Sequence, residues 1–280
     1  MAGACTRPNG RTGPDDVDSD QRPLLSAHLN HLTELLSKRE RGRLFASCTS
    51  VDLALGDVLC RRGDTMQHVY FPTDGFISLV AQNEGEPALE VGLIGAEGML
   101  GASLALGVDR TPMHALVQGR GAAWRMSGSA FRGQLADRAG LRRVVDRYLY
   151  VLMAQLATSS ACVRFHAIGP RLARWLLMTQ DRAHAETIHV TQQFLAHMLG
   201  VRRVGITVAA GALQDRGIIA YRRGELQILD RKRLEDAACS CYAADAGVYS
   251  DLLGARADAT VFSGARRTRV PPARGAEGSS

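Results

Sequence analysis

The sequence holds 280 residues with 34 Lys+Arg against 28 Asp+Glu, a formal charge of +6. Hydrophobic residues at 46% exclude a wholly disordered chain. No uninterrupted apolar run approaches the ~18 residues of a membrane-spanning helix, and the opening MAGACTRPNGRTGPDD lacks the apolar stretch of an ordinary secretory signal. Six cysteines in a chain this long do not make a disulfide framework, so reduced thiols and a cytoplasmic location are expected. From Arg164 to Arg233 the charge excess is +7, which leaves the rest of the chain close to neutral. Clustering of this kind points to a nucleic-acid contact surface; a solvated Arg-rich face has the same appearance.

Residues 1–22 are rich in Gly, Pro, Asp and Arg and read as a disordered tail. Leu24, Leu25, His28, Leu32, Leu35 and Leu36 recur at helical spacing, and Ser37 followed by Lys38, Arg39, Glu40 and Arg41 starts a second short helix. From Val51 to about Met126 short apolar runs are broken by glycines every 7–12 residues, the pattern of many short strands in a sandwich or barrel. The dense glycines at 92, 95, 98 and 101 read as turns of a β-roll or as a cradle of backbone amides for an anion.

At Ser127 the period lengthens. Leu141, Val145, Tyr148, Leu152 and Leu156 follow a 3–4 alternation, so one long amphipathic helix with a coiled-coil-like seam is expected. Such a seam needs a cover, either a second copy of the chain in a two-fold homodimer or the β-domain of the same chain. Gly169-Pro170 separates it from a further helix with Leu172, Trp175, Leu176 and Met178 inward. The chain thus divides into a tail (1–22), a β-roll (23–126), a dimerisation-helix region (127–168), a DNA-binding unit (169–242) and a second disordered tail (243–280).

The segment TQQFLAHMLGVRRVGITVAAGALQDRGIIAYRRGELQILD carries the functional signal. Thr191 is an N-cap for a helix bearing Gln192, Gln193 and the stripe Phe194, Leu195 and Met198. Gly200 ends that helix, and Arg202 opens another with Ile206, Ala209, Ala210 and Leu213 inward. This is the spacing of a helix-turn-helix. Two strands, Ile218–Tyr221 and Glu225–Leu229, flank Arg222-Arg223-Gly224 as a hairpin with cations at its tip, a wing. Arg202 and Arg203 sit at the end that enters a major groove, where each pairs with guanine edges or with phosphate. Thr207 and Val208 suit a thymine methyl, while Thr191, Gln192, Gln193, Arg222 and Arg223 suit the phosphate backbone. Gly205 and Gly211 allow close approach to DNA.

The order of β-roll, long helix and winged helix-turn-helix resembles the Crp-Fnr family of bacterial transcription regulators over about residues 24–242. LALGDVLCRRGDTMQHVYFPTDGFISLV looks like that family's effector domain, and the 191–230 segment is similar to its DNA-binding domain. The resemblance implies an α+β chain in which a jelly-roll, cyclic-nucleotide-binding-like β-roll and a long dimerisation helix precede the winged domain. It also implies a homodimer acting on palindromic double-stranded DNA, with RNA polymerase as a further partner and no membrane. Members that hold a cyclic nucleotide carry Gly-Glu and, about ten residues on, an Arg. The nearest alignment here has Gly101-Ala102 and Pro112, with Arg110 nearby and Glu97 too early, so cyclic AMP is not the expected effector. Iron–sulfur sensors use closely spaced N-terminal cysteines, whereas Cys5, Cys48 and Cys60 are scattered. Val204 and Val208 replace two base-reading side chains of the cyclic-AMP receptor protein, so its operator does not carry over.

Cys239-Ser240-Cys241 could bind a soft metal or form a redox pair, yet two cysteines are half a tetrahedral zinc site. Cys162 and His166 read as a buried thiol and a core histidine. No catalytic order, phosphate loop or metal motif stands out, so no enzyme, cofactor or metal is expected. The rival reading is a ligand-binding β-roll that acts through protein partners, its DNA binding degenerate.

Overall fold

The computed structural model describes residues 30–85, 87–183 and 187–254. The tail at 1–22, Leu24, Leu25 and His28, and positions 255–280 lie outside these. The first helix, α1 (His31–Glu34), is capped by Asn30, whose side chain accepts from the Thr33 amide. A capping box between Ser37 and Glu40 starts α2 (Lys38–Phe45).

Seven strands follow: β1 (Thr49–Leu53), β2 (Val58–Cys60), β3 (His68–Pro72), β4 (Phe76–Ala81), β5 (Leu89–Ile94), β6 (His114–Gly119) and β7 (Gly121–Ser127). They form two antiparallel sheets with orders β1-β7-β3 and β2-β6-β4-β5. Each sheet turns an apolar face inward, so Phe71, Ile77, Leu79, Ile94, Met99, Val117 and Phe131 share one core. A short 3₁₀ helix, Ala102–Leu106, interrupts the return from β5 to β6.

The Ser127 hydroxyl caps α3 (Gly128–Asp137), and α4 (Ala139–Phe165) runs for 27 residues. His166 leaves the helical region of the backbone and ends α4; α5 (Ile168–Ala183) begins two residues later, with Pro170 in its first turn. The winged unit continues through β8 (Thr187–His189), α6 (Gln192–Met198), α7 (Arg203–Asp215), β9 (Ile219–Arg222), β10 (Glu225–Ile228) and α8 (Arg231–Ala237). Its own core joins Leu172, Leu176, Leu195, Ile206, Leu213, Ile218 and Leu226. Phe76 and Leu93 of the β-roll pack into the same cluster, so the two domains meet through apolar side chains.

Two expectations need correction. The expected tail does not begin at residue 243, since α9 (Cys241–Leu253) is a helix with Tyr242, Ala246, Tyr249 and Leu253 buried. Its flanking Ala and Gly suggested low complexity, but these four side chains recur at helical spacing: Tyr242 packs into the winged unit's core, Tyr249 and Leu253 join the β-roll core, and the helix lies against α4. The seam on α4 is also divided. Leu141, Val145 and Tyr148 are buried within the same chain against the β-roll, and Leu152 packs against that core while half-buried, as Leu156 also is. The large apolar side chains that α4 leaves exposed are Tyr150, Met153, Val163 and Phe165. Among the described residues no helix is long and apolar enough to cross a membrane.

Candidate nucleic-acid interface

The Thr191 hydroxyl accepts the Phe194 amide at 3.1 Å and so starts α6. Gly200, with φ of 61°, closes the turn, and Val201 donates back to the Ala196 carbonyl at 2.9 Å. Helix α7 then opens at Arg203, with Arg202 in the cap position and no side chain satisfying the free amides of the first turn. Those amides and the positive end of the helix dipole therefore face outward beside two guanidinium groups, an arrangement suited to an anion.

The inward stripe of α7, Ile206, Ala209, Ala210 and Leu213, is buried as its spacing requires. On the opposite face Arg202, Arg203, Thr207 and Val208 are all exposed, and so is Val204. Valine side chains 65% and 68% exposed on a helix surrounded by polar groups gain nothing from water. The Thr207 hydroxyl donates to Gln192 Oε1 at 2.7 Å, locking the two helices together across this face. Gln193, also exposed, is bonded to His197 at 2.8 Å.

The wing is the hairpin β9–β10, with β8 added along β10 to give the order β8-β10-β9. Its tip is the pair Arg223-Gly224, with φ of 51° and 85°. Both values belong to a two-residue turn that matches strand twist. Asn or Gly normally takes the first position. Among the described residues Arg223 is the one non-glycine with positive φ, at a cost of about 1–2 kcal/mol. Such strain is retained where the side chain is wanted. Arg222 and Arg223 are exposed, and Arg223 lines one groove with Thr191.

Gly205 plays a different part from the one expected. A β-carbon there would lie 2.6 Å from Ile168 Cδ1, so the missing side chain makes room for the start of α5 rather than for DNA. Around Gly211 nothing lies within 4 Å.

Residues 170–237 match the model of a Crp-like helix-turn-helix domain, and residues 50–138 match that of a cyclic nucleotide-binding domain. The chain has the domain make-up of a Crp-Fnr regulator. Solved structures share its fold. A Crp/Fnr-family regulator from Eubacterium rectale is 16% identical, with a TM-score of 0.58, covering 74% of this chain and 96% of its own. The c-di-GMP-responsive regulator CLP of Xanthomonas campestris is 17% identical, with a TM-score of 0.56, covering 69% of this chain and 99% of its own. FixK2 from Bradyrhizobium japonicum is 12% identical, with a TM-score of 0.59 over 69% of this chain and 98% of its own. Comparison with curated proteins returned no match.

In this chain the segment between β5 and the 3₁₀ helix is closed by protein groups. The Gly95 amide donates to the Glu97 carboxylate at 3.1 and 3.2 Å, so the anion it holds is the chain's own. β-Carbons at Gly95 and Gly98 would collide with Arg182 and with the Tyr148 ring. These glycines serve close packing, not an open cradle. Arg182 Nε donates to Glu97 at 2.7 Å, with both side chains almost wholly buried. This ion pair joins the loop after β5 directly to α5 of the winged unit. Ala102 is buried, Pro112 is exposed, and Arg110 donates to the Gly63 carbonyl at 2.9 Å.

Glu90 on β5 makes a second link to α5. It accepts the Trp175 indole N–H at 2.7 Å and the Ser78 hydroxyl at 2.5 Å. Burial pushes its pKa up to about 7, although these two bonds and the nearby Arg182 and Arg174 oppose the rise. Sequence reasoning missed both links because their partners stand 85 positions apart.

It also missed the meeting of Cys162, His166, Cys239 and Cys241. The Cys162 thiol is lowered to about 5 chiefly by a hydrogen bond from Cys239, with burial opposing and His166, Arg174 and Cys241 assisting. Cys239 correspondingly holds its proton more tightly.

Proposed function

We propose that this chain is a sequence-specific DNA-binding transcription regulator, acting in the cytoplasm as a homodimer on a palindromic operator, in response to a signal other than cyclic AMP. One observation carries the reading: the only strained non-glycine among the described residues is an arginine at the wing tip, beside a helix whose uncapped N-terminus bears Arg202 and Arg203. α7 would place Arg202, Arg203, Thr207 and Val208 against base edges, with Val204 offering a further apolar contact. Thr191, Gln192, Gln193, Arg222 and Arg223 would fix its register on phosphates.

The exposed Tyr150 and Met153, flanked by the half-buried Leu149, Leu152 and Leu156, support pairing of two α4 helices. Two recognition helices related in this way read half-sites about 34 Å apart. The departure from cyclic AMP is supported by the buried Ala102 and by Pro112 standing where an arginine would be needed. An anionic phosphate without a guanidinium partner is poorly held.

The test is a salt titration of binding to genomic fragments. A subset should stay bound as salt rises, with log K falling linearly in log salt. Simultaneous release of every fragment refutes sequence-specific regulation and favours a β-roll working through protein partners. Cyclic AMP should leave the melting temperature unchanged, and a clear rise overturns that part of the proposal.

A further inference from the structure

Four side chains away from the DNA-facing surface converge where α4 meets the winged unit. Cys162 lies in the last turn of α4, His166 ends that helix, Cys239 lies in the turn after α8, and Cys241 begins α9. The sulfurs of Cys162 and Cys239 are 3.5 Å apart, and the Cys241 sulfur is 3.4 Å from His166 Nδ1. All four donor atoms lie within 4.8 Å of one another. The three thiols are buried and pack as a cluster of their own, separate from both domain cores; His166 is half-buried.

These separations match a known geometry. A tetrahedral zinc ion with Zn–S of about 2.3 Å and Zn–N of about 2.0–2.1 Å sets S–S edges near ~3.8 Å and S–N edges near ~3.5 Å. A disulfide is a weaker account, because it would use Cys162 and Cys239 and leave Cys241 and His166 without a purpose. The surroundings fit as well. Three thiolates and a neutral imidazole around a divalent ion carry one negative charge. Arg171 and Arg174 line the same small cavity as Cys162. The buried Arg174 Nε has no hydrogen-bond partner among the described residues, although the same guanidinium donates to Asp245 at 2.7 Å. An unpaired N–H beside anionic sulfur is the kind of outer contact that tunes a metal site.

We propose that Cys162, His166, Cys239 and Cys241 bind one zinc ion in a closed tetrahedral site. All four positions are filled by protein, so the ion is structural and leaves no open position for substrate. Its ligands come in two pairs, Cys162 and His166 at the end of α4, Cys239 and Cys241 between α8 and α9. The ion therefore staples the winged unit to the long helix, and its loss frees the joint between them. The proposal stands on these four side chains and is independent of the reading of α7 as a recognition helix.

The test uses the full-length reduced chain without DNA. Dialysis against zinc followed by elemental analysis should give one zinc per chain. Cobalt in its place should show the intense visible bands and near-ultraviolet thiolate charge transfer of a tetrahedral thiolate site. His166→Ala lies at a half-buried helix end and should keep its far-ultraviolet circular dichroism while zinc affinity, read by chelator competition, falls about 100-fold or more. Zinc should raise the melting temperature of the wild type and leave that of Cys239→Ser/Cys241→Ser unchanged. The proposal is overturned by zinc well below one per chain with all thiols reduced, by an octahedral cobalt spectrum, or by a full zinc complement in the double variant. A Cys162–Cys239 disulfide in protein purified without air also overturns it, and assigns the cluster to redox chemistry.

Discussion

Removing the arginine of the Glu97–Arg182 pair isolates the strongest link between the two domains. The charges are 2.7 Å apart and only 2% and 4% exposed, so at an effective dielectric of about 20 their attraction is on the order of 6 kcal/mol. Desolvation of both ions offsets much of that. Arg182→Met leaves the Glu97 carboxylate buried with only the Gly95 amide to hold it, and should destabilise by about 3–5 kcal/mol. Glu97→Gln leaves the buried guanidinium with the Met178 carbonyl and the nearby Asp181 charge, and should destabilise by a smaller amount. The double variant Glu97→Gln/Arg182→Met removes both charges and should recover most of the loss. Urea unfolding of the four proteins at neutral pH completes a double-mutant cycle. Additive losses, or a cost below about 1 kcal/mol for Arg182→Met, refute the argument that this pair couples the loop after β5 to α5.

Four further outcomes are expected. Glu90 titrates near 7 in the fold against 4.5 when unexposed to it, so its contribution is fully present below the lower value and is lost as pH rises through the higher one. Stability should fall by about 3 kcal/mol across that window, and Glu90→Gln should abolish that part of the slope; an unchanged slope in urea titrations defeats the assignment. On DNA, Arg203→Ala should cost about 1–3 kcal/mol and relax preference at one base pair, whereas a uniform loss across sequences moves Arg203 to a phosphate. Arg223→Asn should weaken binding on all sequences alike while raising fold stability by about 0.5–1 kcal/mol, since Asn tolerates positive φ; a lower melting temperature contradicts the strain argument. Met153→Glu, placed on the exposed face of α4, should shift the chain toward monomer in sedimentation, and an unchanged mass refutes pairing through that face.

The domains themselves were readable in the sequence because each announces itself locally. The β-roll shows in glycine-broken apolar runs, and the helix-turn-helix in the inward stripe Ile206, Ala209, Ala210 and Leu213, all buried. The wing shows in Arg223-Gly224, where the strands fall within a residue of their expected limits. What escaped was set by tertiary contact. β8 is a three-residue strand that exists through its pairing with β10, too short for any period to register. The heptad pattern on α4 identified a buried stripe, but periodicity cannot tell a partner chain from the chain's own β-roll. Cys162 is the buried thiol its local pattern suggests, whereas His166 is half-buried rather than a core histidine, and nothing near them in sequence signals their partners Cys239 and Cys241, 77 and 75 positions on.

The course of α9 bears on how a signal can travel. It leaves the winged unit at Cys241 and runs back beside α4 to the β-roll, where the Tyr249 hydroxyl donates to the Glu97 carbonyl at 2.9 Å and meets His31. The winged unit is thus held by a forward strut, α4 into α5, and by a return strut, α9. The Glu97 loop touches both members, through Arg182 on α5 and Tyr249 on α9. The loop that carries Glu97 is thus anchored twice, to α5 through its carboxylate and to α9 through its carbonyl.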